Sequence, residues 1–360
     1  MNRSRHWNRR EIMNLLGMGM VGAATVPVTS LNAYAMKPEA SPIYRSRGGS
    51  KLYQLPSELS TAALIRGNDR SENIYKALKL IENEVLSGIK GKRILIKPNF
   101  VQLNNQLAAT HVDAVRGILE FLRPHYKKEI LVGESSPYPD SATTIAFKNY
   151  GYLDLVQRYK VRLVDLNLCG YEYRYTIGAD NAPLPTRICA PYLDPNLYII
   201  STAIMKTHSY ASVTLSLKNV LLGAPLNDYK TSDKPHMHMG PHYEPNDIIH
   251  FNLFHMAQHV FPDLAVIDGF TGMEGDGPSR GTPVDSRIAV ASVDPLAADV
   301  LGARVMGFNA KKIPYLASMT EAGMGQGDLT KITVLGNSIE ECACRFKNSP
   351  RLHYYAAWES

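Results

Sequence analysis

The sequence predicts an α/β protein with a mostly parallel open sheet, covered by helices on both faces and carrying an inserted β-hairpin. Short apolar strands alternate with amphipathic helices along most of the chain, as expected for βαβ units in a parallel sheet. Of the 360 residues, 45% are hydrophobic and 20% are charged, a globular composition that can bury a large core. Alternating apolar and polar positions at Tyr171–Ile177 and Leu184–Ala190 predict the hairpin.

The first half of the domain opens with a predicted helix. Apolar residues at helical spacing run from Ile74 to Val85, and Gly88 ends this helix. Arg93–Lys97 is a short strand of the buried type, and Thr110 is placed to cap a helix that Pro124 ends. The other elements predicted before the hairpin are strands at Glu129–Glu134 and Val161–Leu166 and helices near Ser141–Tyr150 and Leu153–Tyr159.

The second half continues the alternation. Asp294 and Pro295 begin a helix that runs to Met306, because aspartate suits the cap and proline suits the first helical position. The remaining predicted elements are strands at Leu197–Met205, Leu264–Asp268, Arg287–Val293 and Lys331–Leu335 and helices at Val213–Leu222 and Asp247–Phe261.

The first 35 residues have the pattern of a twin-arginine (Tat) signal peptide. Arg9-Arg10 precedes a weakly apolar, glycine-rich stretch, and Ala33-Tyr34-Ala35 forms a small-x-small cleavage site. Residues 36–60 are predicted to be a lead-in segment and residues 61–360 a single α/β domain. We therefore expect the Tat translocase to export the folded protein to the periplasm or cell envelope of a bacterium. A frayed amphipathic helix is the alternative, and an uncleaved signal would act as an anchor.

Charge and hydropathy exclude several classes of function. The formal net charge is +6, of which the first 35 residues contribute +3, so the rest of the chain is only mildly basic. No cluster of lysines and arginines is present in the sequence, which argues against a nucleic-acid partner. No window of 18 strongly apolar residues occurs, so no transmembrane segment is expected in the mature chain.

The four cysteines are Cys169, Cys189, Cys342 and Cys344. Their spacing matches no zinc or iron–sulfur pattern, so no iron–sulfur cluster is expected. The first two could form a bridge across the hairpin. The last two could be a disulfide, inert thiols, a redox pair or a ligand pair.

Polar residues collect where the predicted strands end. These strand ends carry Lys97, Glu134, Asp165, Lys206, Asp268 and Asp294. Because the carboxyl ends of parallel strands face one crevice, the side chains are expected to meet in one polar site. The alternative is that each caps the following helix or loop, which we favour for Asp294 but not for the lysines, since lysine is a poor cap.

The densest polar segment runs from Lys206 through His208 to Lys218 and Asn219. Thr214 and Lys218 are four residues apart, on one face of the predicted helix. Two fixed cations beside a titratable imidazole suit a phosphate or a carboxylate, so this segment predicts an anion site. A cation network paired with structural carboxylates is the alternative.

Lys97 and the helix start at Thr110 extend the predicted anion site. Pro98 holds Lys97 in an extended conformation near the crevice, with Asn99 beside it. A helix start offers free N–H groups to an anion, so Thr110 and His111 are candidate ligand contacts. For Thr110, a simple capping role is an equal alternative.

Three histidines, His236, His238 and His242, lie within seven residues of a loop that contains proline and glycine. Imidazole is a common ligand of transition metals, so the loop predicts a divalent metal site. The spacing is neither HExxH nor that of a zinc finger. A solvated loop, or histidines that bind the anion, is the alternative.

A glycine-rich loop follows the strand that ends at Asp268, and it carries Glu274 and Asp276. The three carboxylates could coordinate a cation, transfer protons or cap their own turns. A serine hydrolase is poorly supported, because the segment around Ser135 lacks the second glycine of a nucleophile elbow.

As a set, these motifs resemble the DUF362 family from about Arg93 to Gly336. The matching segments are Ile96-Lys97-Pro98-Asn99, Gly133-Glu134-Ser135, Lys206-Thr207-His208, Leu217-Lys218-Asn219 with Gly223, Ile267-Asp268-Gly269, Met273-Glu274-Gly275-Asp276-Gly277-Pro278 and Asp294-Pro295 with Asp299. The resemblance implies the fold and the site positions but no reaction, since the function of the family is unknown. Many relatives carry ferredoxin-type cysteine motifs, which this sequence lacks, so an electron-transfer role loses its main support.

Together these features predict an exported enzyme for metal-assisted hydrolysis or group transfer on a phosphorylated or carboxylated small molecule. The predicted catalytic residues are Asp268, Glu274, Asp276 and His208. The predicted anion-binding residues are Lys97, Asn99, Thr110, His111, Glu134, Ser135, Lys206, Thr214, Lys218 and Asn219. The alternatives are a non-catalytic envelope protein that binds an anion or a metal, and a redox protein whose cofactor a partner supplies.

Overall fold

The computed structural model describes residues 59–138, 142–178, 180–228, 230–238 and 245–352. The predicted signal peptide, nearly all of the lead-in segment and His242 lie outside these residues, so the predictions about them stay predictions. Within the described ranges, no helix has both the length and the apolar character needed to cross a membrane.

Strands and helices alternate along the described chain. The strands are β1 (Ser60–Arg66), β2 (Arg93–Lys97), β3 (Ile130–Glu134), β4 (Val161–Asp165), β5 (Tyr171–Ile177), β6 (Pro183–Cys189), β7 (Leu197–His208), β8 (Ser212–Thr214), β9 (Leu264–Glu274), β10 (Thr282–Val284), β11 (Ile288–Ser292) and β12 (Ile332–Gly336). The helices are α1 (Arg70–Leu80), α2 (Glu82–Ile89), α3 (Val112–Leu122), α4 (Ala142–Asn149), α5 (Leu153–Arg158), α6 (Ser216–Gly223), α7 (Pro245–Ala257), α8 (Pro295–Val305), α9 (Pro314–Glu321) and α10 (Ile339–Cys342).

One large sheet forms the centre of the molecule, in the strand order β12-β1-β11-β9-β7-β2-β3-β4. Strand β11 runs antiparallel to both of its neighbours, and the other pairs along this order are parallel. Strands β8 and β10 add to β7 and β9, while β5 and β6 form a separate hairpin. The predicted mostly parallel α/β fold with an inserted hairpin is confirmed.

The sheet buries both faces, because successive strand residues point to opposite sides. In β2, Ile94 and Ile96 pack under α1–α5, whereas Leu95 packs under α6–α10. The helices of the first half of the chain therefore cover one face, and those of the second half cover the other. The candidate site is built where strands β2, β3 and β7 end.

The structure differs from the sequence prediction at two places, and the first of them lies in the candidate site. The predicted helix from Val213 begins only at Ser216, because residues 212–214 pair with β7 as strand β8. Strand β1 was not predicted at all, since Ser-Thr-Ala-Ala-Leu-Ile-Arg has few strong strand formers. Its conformation comes from pairing with β11 and β12.

Candidate functional site

A cavity of about 430 Å³ opens beside the carboxyl ends of β2, β3 and β7, and we call it the Lys218 pocket. Its polar lining includes Lys97, Asn99, Glu134, Ser135, His208, Thr214, Lys218, Asn219, Lys234 and His238. Its apolar lining includes Phe100, Val101, Leu222 and Pro137. The structure thus brings together many of the residues predicted to bind an anion.

Lys97 and Glu134 form a buried ion pair at the base of the pocket. The Lys97 Nζ atom lies 2.8 Å from Glu134 Oε1 and 2.9 Å from Asn219 Oδ1, and it also donates to the carbonyl of the next residue. The Glu134 carboxylate accepts two further bonds, from the backbone N–H groups of Phe100 and Ser135. Burial lowers the pKa of Lys97, and Glu134 opposes that shift. Because of these hydrogen bonds, protein partners hold both the Lys97 amine and the Glu134 carboxylate in place.

Gly223 makes room for this ion pair at the end of α6. A Cβ atom at residue 223 would lie 2.4 Å from Lys97 Cε and 3.0 Å from its Nζ. Lys97 cannot move aside without losing its hydrogen bonds, so only glycine fits at this position.

We expect Gly223→Ala to lower the free energy of unfolding by about 1–3 kcal/mol, the cost of overpacking a rigid site. The matched control is Gly302→Ala in helix α8, where the added Cβ would meet its nearest atoms at 3.4 Å, an ordinary contact. Urea unfolding of both variants measures the difference. Equal stability of the two would show that Lys97 is not fixed as described.

Lys234 closes another side of the pocket and is also held by the protein. Its Nζ atom donates to the carbonyls of Gly223 and Pro225, both at 2.8 Å, and lies 3.5 Å from Ser135 Oγ. Burial lowers the pKa of Lys234 to about 8. The Ser135 hydroxyl itself donates to the Gly223 carbonyl at 2.6 Å. Ser135 thus helps to hold the pocket wall together.

His208 presents one ring nitrogen to the pocket. Its Nδ1 atom accepts hydrogen bonds from the backbone N–H groups of Tyr210 and Ala211, each at 3.1 Å. The proton of the neutral ring therefore lies on Nε2, which is a donor. Burial, together with Lys218, holds the pKa of His208 well below its usual value. The ring stacks on His238, whose pKa burial lowers to about 3.

Lys218 differs from the other two lysines that line the pocket. It is only 3% exposed, yet no acceptor or carboxylate of the described chain lies within bonding distance of its Nζ atom. Burial, followed by the charge of Lys97, lowers its pKa to about 7. Buried polar atoms of Asn99, Thr214 and His238 in the same pocket also have no hydrogen-bond partner among the described residues. The pocket is therefore polar, and described protein groups use only part of its hydrogen-bonding capacity.

Helix α6 positions Lys218 and Asn219, and a carboxylate from α8 fixes the start of that helix. Asp299 accepts hydrogen bonds from the backbone N–H groups of Ser216 at 2.8 Å and Leu217 at 3.0 Å. Burial raises the pKa of Asp299 to about 8, against these two hydrogen bonds. Free N–H groups at a helix start attract such an acceptor, so Asp299 takes the place of an N-cap side chain.

Lys206 and Thr110 lie behind the pocket instead of lining it. The Lys206 Nζ atom donates to the Ala108 carbonyl at 3.0 Å, and burial holds its pKa well below the usual value. The Thr110 hydroxyl donates to the Thr202 carbonyl and accepts from the Asn99 N–H. The predicted capping role of Thr110 is wrong: His111 is the N-cap of α3.

The structure does not bring the three predicted carboxylates into the Lys218 pocket. Asp268 pairs with Arg70 at 3.2 Å in a separate cavity of about 240 Å³ that His111 also lines. Residues two apart in a strand point to the same face of the sheet. Asp268 therefore shares the face of Val266, which packs under α1–α5. Lys97 shares the face of Leu95, which packs under α6–α10. The alternation of strand side chains therefore separates Asp268 from Lys97.

Glu274 and Asp276 lie farther along β9 and its following turn. Glu274 accepts the backbone N–H of Lys347 at 2.8 Å, and Asp276 pairs with Arg280 at 3.0 Å. Strand β9 is longer than predicted, since it pairs with β10 as far as Glu274. Neither carboxylate lines the Lys218 pocket, although Pro278, two residues after Asp276, does.

The predicted metal ligands do not form a cluster within the described ranges. His238 lines the Lys218 pocket, whereas the Nδ1 atom of His236 lies 3.2 Å from the Thr186 hydroxyl. Among described residues, no group of three or more His, Cys, Asp or Glu side chains is placed to hold a metal ion. His242 lies outside them, so the three-histidine site stays a prediction.

Sequence reasoning missed Lys234 as a site residue. Like Lys97, it directly precedes a proline, and this shared Lys-Pro pair was the available signal. In the structure the pair opens a short 3₁₀-helix, Lys234–Met237, beside the pocket. The apolar walls at Phe100 and Leu222 gave no comparable signal, because apolar residues near strand ends are common in any core.

The fold and the pocket define a class: an α/β protein with helices on both faces of its sheet and a lysine-lined pocket at its strand ends. Within that class, the chain belongs to the DUF362 family, a domain of unknown function, whose family model matches residues 94–304. The matched range contains every described residue that lines the Lys218 pocket.

One curated relative is a thylakoid-associated protein of Synechocystis sp., which is 26% identical over 238 residues. That match covers 65% of this chain and 69% of the relative. A crystal structure of a protein from Thermotoga maritima aligns at a TM-score of 0.38 with 15% identity. This alignment covers 61% of the present chain and 55%, little more than half, of the Thermotoga chain.

Proposed function

We propose that the Lys218 pocket binds a small organic anion, a carboxylate or a phosphate carried on an apolar body. One observation supports this most strongly: Lys218 is buried against the pocket with no described protein partner. A buried lysine is costly unless something compensates its charge. An anionic ligand supplies that compensation.

The balance of charge in the pocket favours an anion over a cation. Three lysines line it, and Glu134 is the single carboxylate among its described lining residues. Both oxygens of Glu134 already accept hydrogen bonds from the protein. Such a field attracts anions and repels metal cations.

The remaining lining defines the kind of anion. The Nε2–H of His208 and the hydroxyl of Thr214 are donors that suit carboxylate or phosphate oxygens. Phe100, Val101 and Leu222 supply apolar surface for the rest of the molecule. Benzoate combines both features and is a suitable probe.

Recognition of the anion is the function we assign to the pocket itself. Asp268, Glu274 and Asp276 have no part in this proposal, since each lies outside the pocket. The Tat-like sequence pattern of residues 1–35 supports a further proposal, that the chain works in the periplasm or envelope after export. A Tat-exported reporter carrying residues 1–35 tests that location separately.

Benzoate affinity is expected to depend on pH with a defined sign. Benzoate binds the charged form of Lys218, whose pKa without ligand is about 7. The affinity should be constant below that value and should fall by up to about tenfold per pH unit above it. Lys234 has a pKa of about 8, so its deprotonation makes the loss of benzoate affinity steeper at higher pH. His208 and His238 stay neutral across this range, because burial lowers the pKa of each.

Calorimetric titration of the whole protein with benzoate from about pH 6 to about pH 9 measures this dependence. Benzamide, which has the same ring but no charge, is the control and should not bind measurably. Equal binding of benzamide, or an affinity for benzoate that does not change with pH, would contradict the proposal.

A further inference from the structure

We propose that Lys218 is also an amine nucleophile, which forms an imine with an aldehyde or ketone carried by the bound organic anion. The inference rests on the proposed function: in a carbonyl-bearing anion, the Thr214 hydroxyl and the positive charges of Lys97 and Lys234 hold the anionic group, and the Lys218 amine meets the carbonyl carbon. It narrows the ligand class from organic anions to organic anions that bear a carbonyl group.

The hydrogen bonding of the lysines distinguishes Lys218 from the rest. Lys97 donates to three acceptors, Lys234 donates to two carbonyls, and Lys206 donates to one. An amine that donates to protein acceptors is held away from a ligand. In the described chain, Lys218 is the pocket lysine whose nitrogen is engaged by no acceptor and faces the cavity.

The surroundings of Lys218 favour its neutral form, which is the nucleophile. Its side chain is removed from water, and Lys97 places a further amine close to it. Desolvation and a neighbouring cation are the two devices that activate lysines for imine chemistry. With a pKa of about 7, close to half of Lys218 is neutral at neutral pH. The nearby rings of His208 and His238 add no positive charge there.

The reaction balances without any further reagent. The Nζ lone pair of Lys218 forms a bond to the carbonyl carbon as the C–O π bond breaks, and the oxygen takes a proton. The nitrogen loses a proton, and the resulting carbinolamine expels its oxygen as water to leave the C=N bond. Both amine hydrogens thus depart with the former carbonyl oxygen. The Nε2–H of His208 in the same wall can donate to that oxygen.

Three related probes test this inference on the whole protein. The first is 4-formylbenzoate, an aldehyde on a benzoate ring, with cyanoborohydride as the hydride donor that reduces the imine. Benzaldehyde lacks the anion, and benzoate lacks the carbonyl. After digestion, mass spectrometry locates the carboxybenzyl group. We expect it on Lys218, at a yield about tenfold or more above benzaldehyde at equal concentration, and we expect benzoate to compete with it.

Lys218→Arg separates binding from bond formation. Arginine keeps the charge but is not a nucleophile, so this variant should lose the adduct at position 218 and should bind benzoate more tightly than Lys218→Met does. Protection of wild-type Lys218 by benzoate gives the same information if the variant does not fold.

The outcomes distinguish the two proposals. If benzoate binds the wild type and the adduct appears only on exposed lysines such as Lys347, the imine proposal is wrong and the anion pocket stands. If benzoate does not bind at all, the proposed function fails, and the imine proposal fails with it. An adduct on Lys218 that benzoate does not block would also overturn the imine proposal, because that proposal requires the anionic group to hold the carbonyl in the pocket.

Discussion

Lys218→Met should reduce the affinity for benzoate by about 100-fold at pH 6, while leaving the protein as stable as before or more stable. Removing one partner of a buried, charge-assisted pair costs about 2–5 kcal/mol of binding free energy. Folding should not suffer, because no described protein group bonds to the Lys218 nitrogen and methionine fills a similar volume. Replacing a desolvated lysine with an apolar side chain removes a cost of folding.

Lys347→Met is the matched control for this substitution. The Lys347 side chain is 81% exposed and lies 3.5 Å from Glu274, outside the pocket. We expect no change in benzoate affinity and little change in stability. Titration calorimetry and thermal unfolding of both variants give the result. A large loss of stability in Lys218→Met with unchanged binding would make Lys218 a structural residue.

Glu134→Ala should cause the largest loss of stability of any substitution at the site, about 3–5 kcal/mol. The change leaves the Lys97 charge buried without its carboxylate. It also removes the acceptor of the Phe100 and Ser135 backbone N–H groups, which lie at 2.9 and 2.7 Å. Unsatisfied buried donors add to the cost of the unpaired charge.

Glu129→Ala, at the other end of the same strand region, is the control. Glu129 pairs with Arg162 at 3.0 Å, but its side chain is 46% exposed. Exposed ion pairs contribute little, so we expect a loss of less than about 1 kcal/mol. Urea unfolding compares the two variants. Similar losses from Glu134→Ala and Glu129→Ala would show that the buried pair does not hold the pocket together.

The rule that polar groups gather at parallel strand ends located much of the candidate site. Lys97 and Glu134 are the last residues of β2 and β3, and they meet as an ion pair. Lys218 and Asn219 reach the same place from α6. These placements follow from the order of strands and helices, which periodicity reveals.

The same rule failed for Asp268, and the reason is geometric. A strand of known sequence has two faces, and the sequence does not say which face turns toward the crevice. Asp268 lies on the α1 side with Arg70, while Lys97 lies on the α6 side. A shift of one residue along a strand therefore decides whether a carboxylate and a lysine point into the same pocket.

The other differences between the predicted and the observed site arise from contacts between residues that are distant in sequence. The buried carboxylate of Asp299 fixes the start of α6 from another helix, and local propensity contains no trace of that contact. Lys234 reaches the pocket from a loop, where side-chain direction depends on tertiary packing. Such features need coordinates, because no periodic pattern encodes them.

Strand β1 has a consequence for the order in which the molecule is assembled during synthesis. Its register joins Ala63 to Ala291 and Ser60 to Ile332, so both of its neighbours are made long after it leaves the ribosome. Strand β1, one of the earliest described segments, therefore has no strand partner until β11 and β12, two of the last, have been synthesised. A nascent chain that stalled before β11 would present β1 without either neighbour and β9 with an open edge.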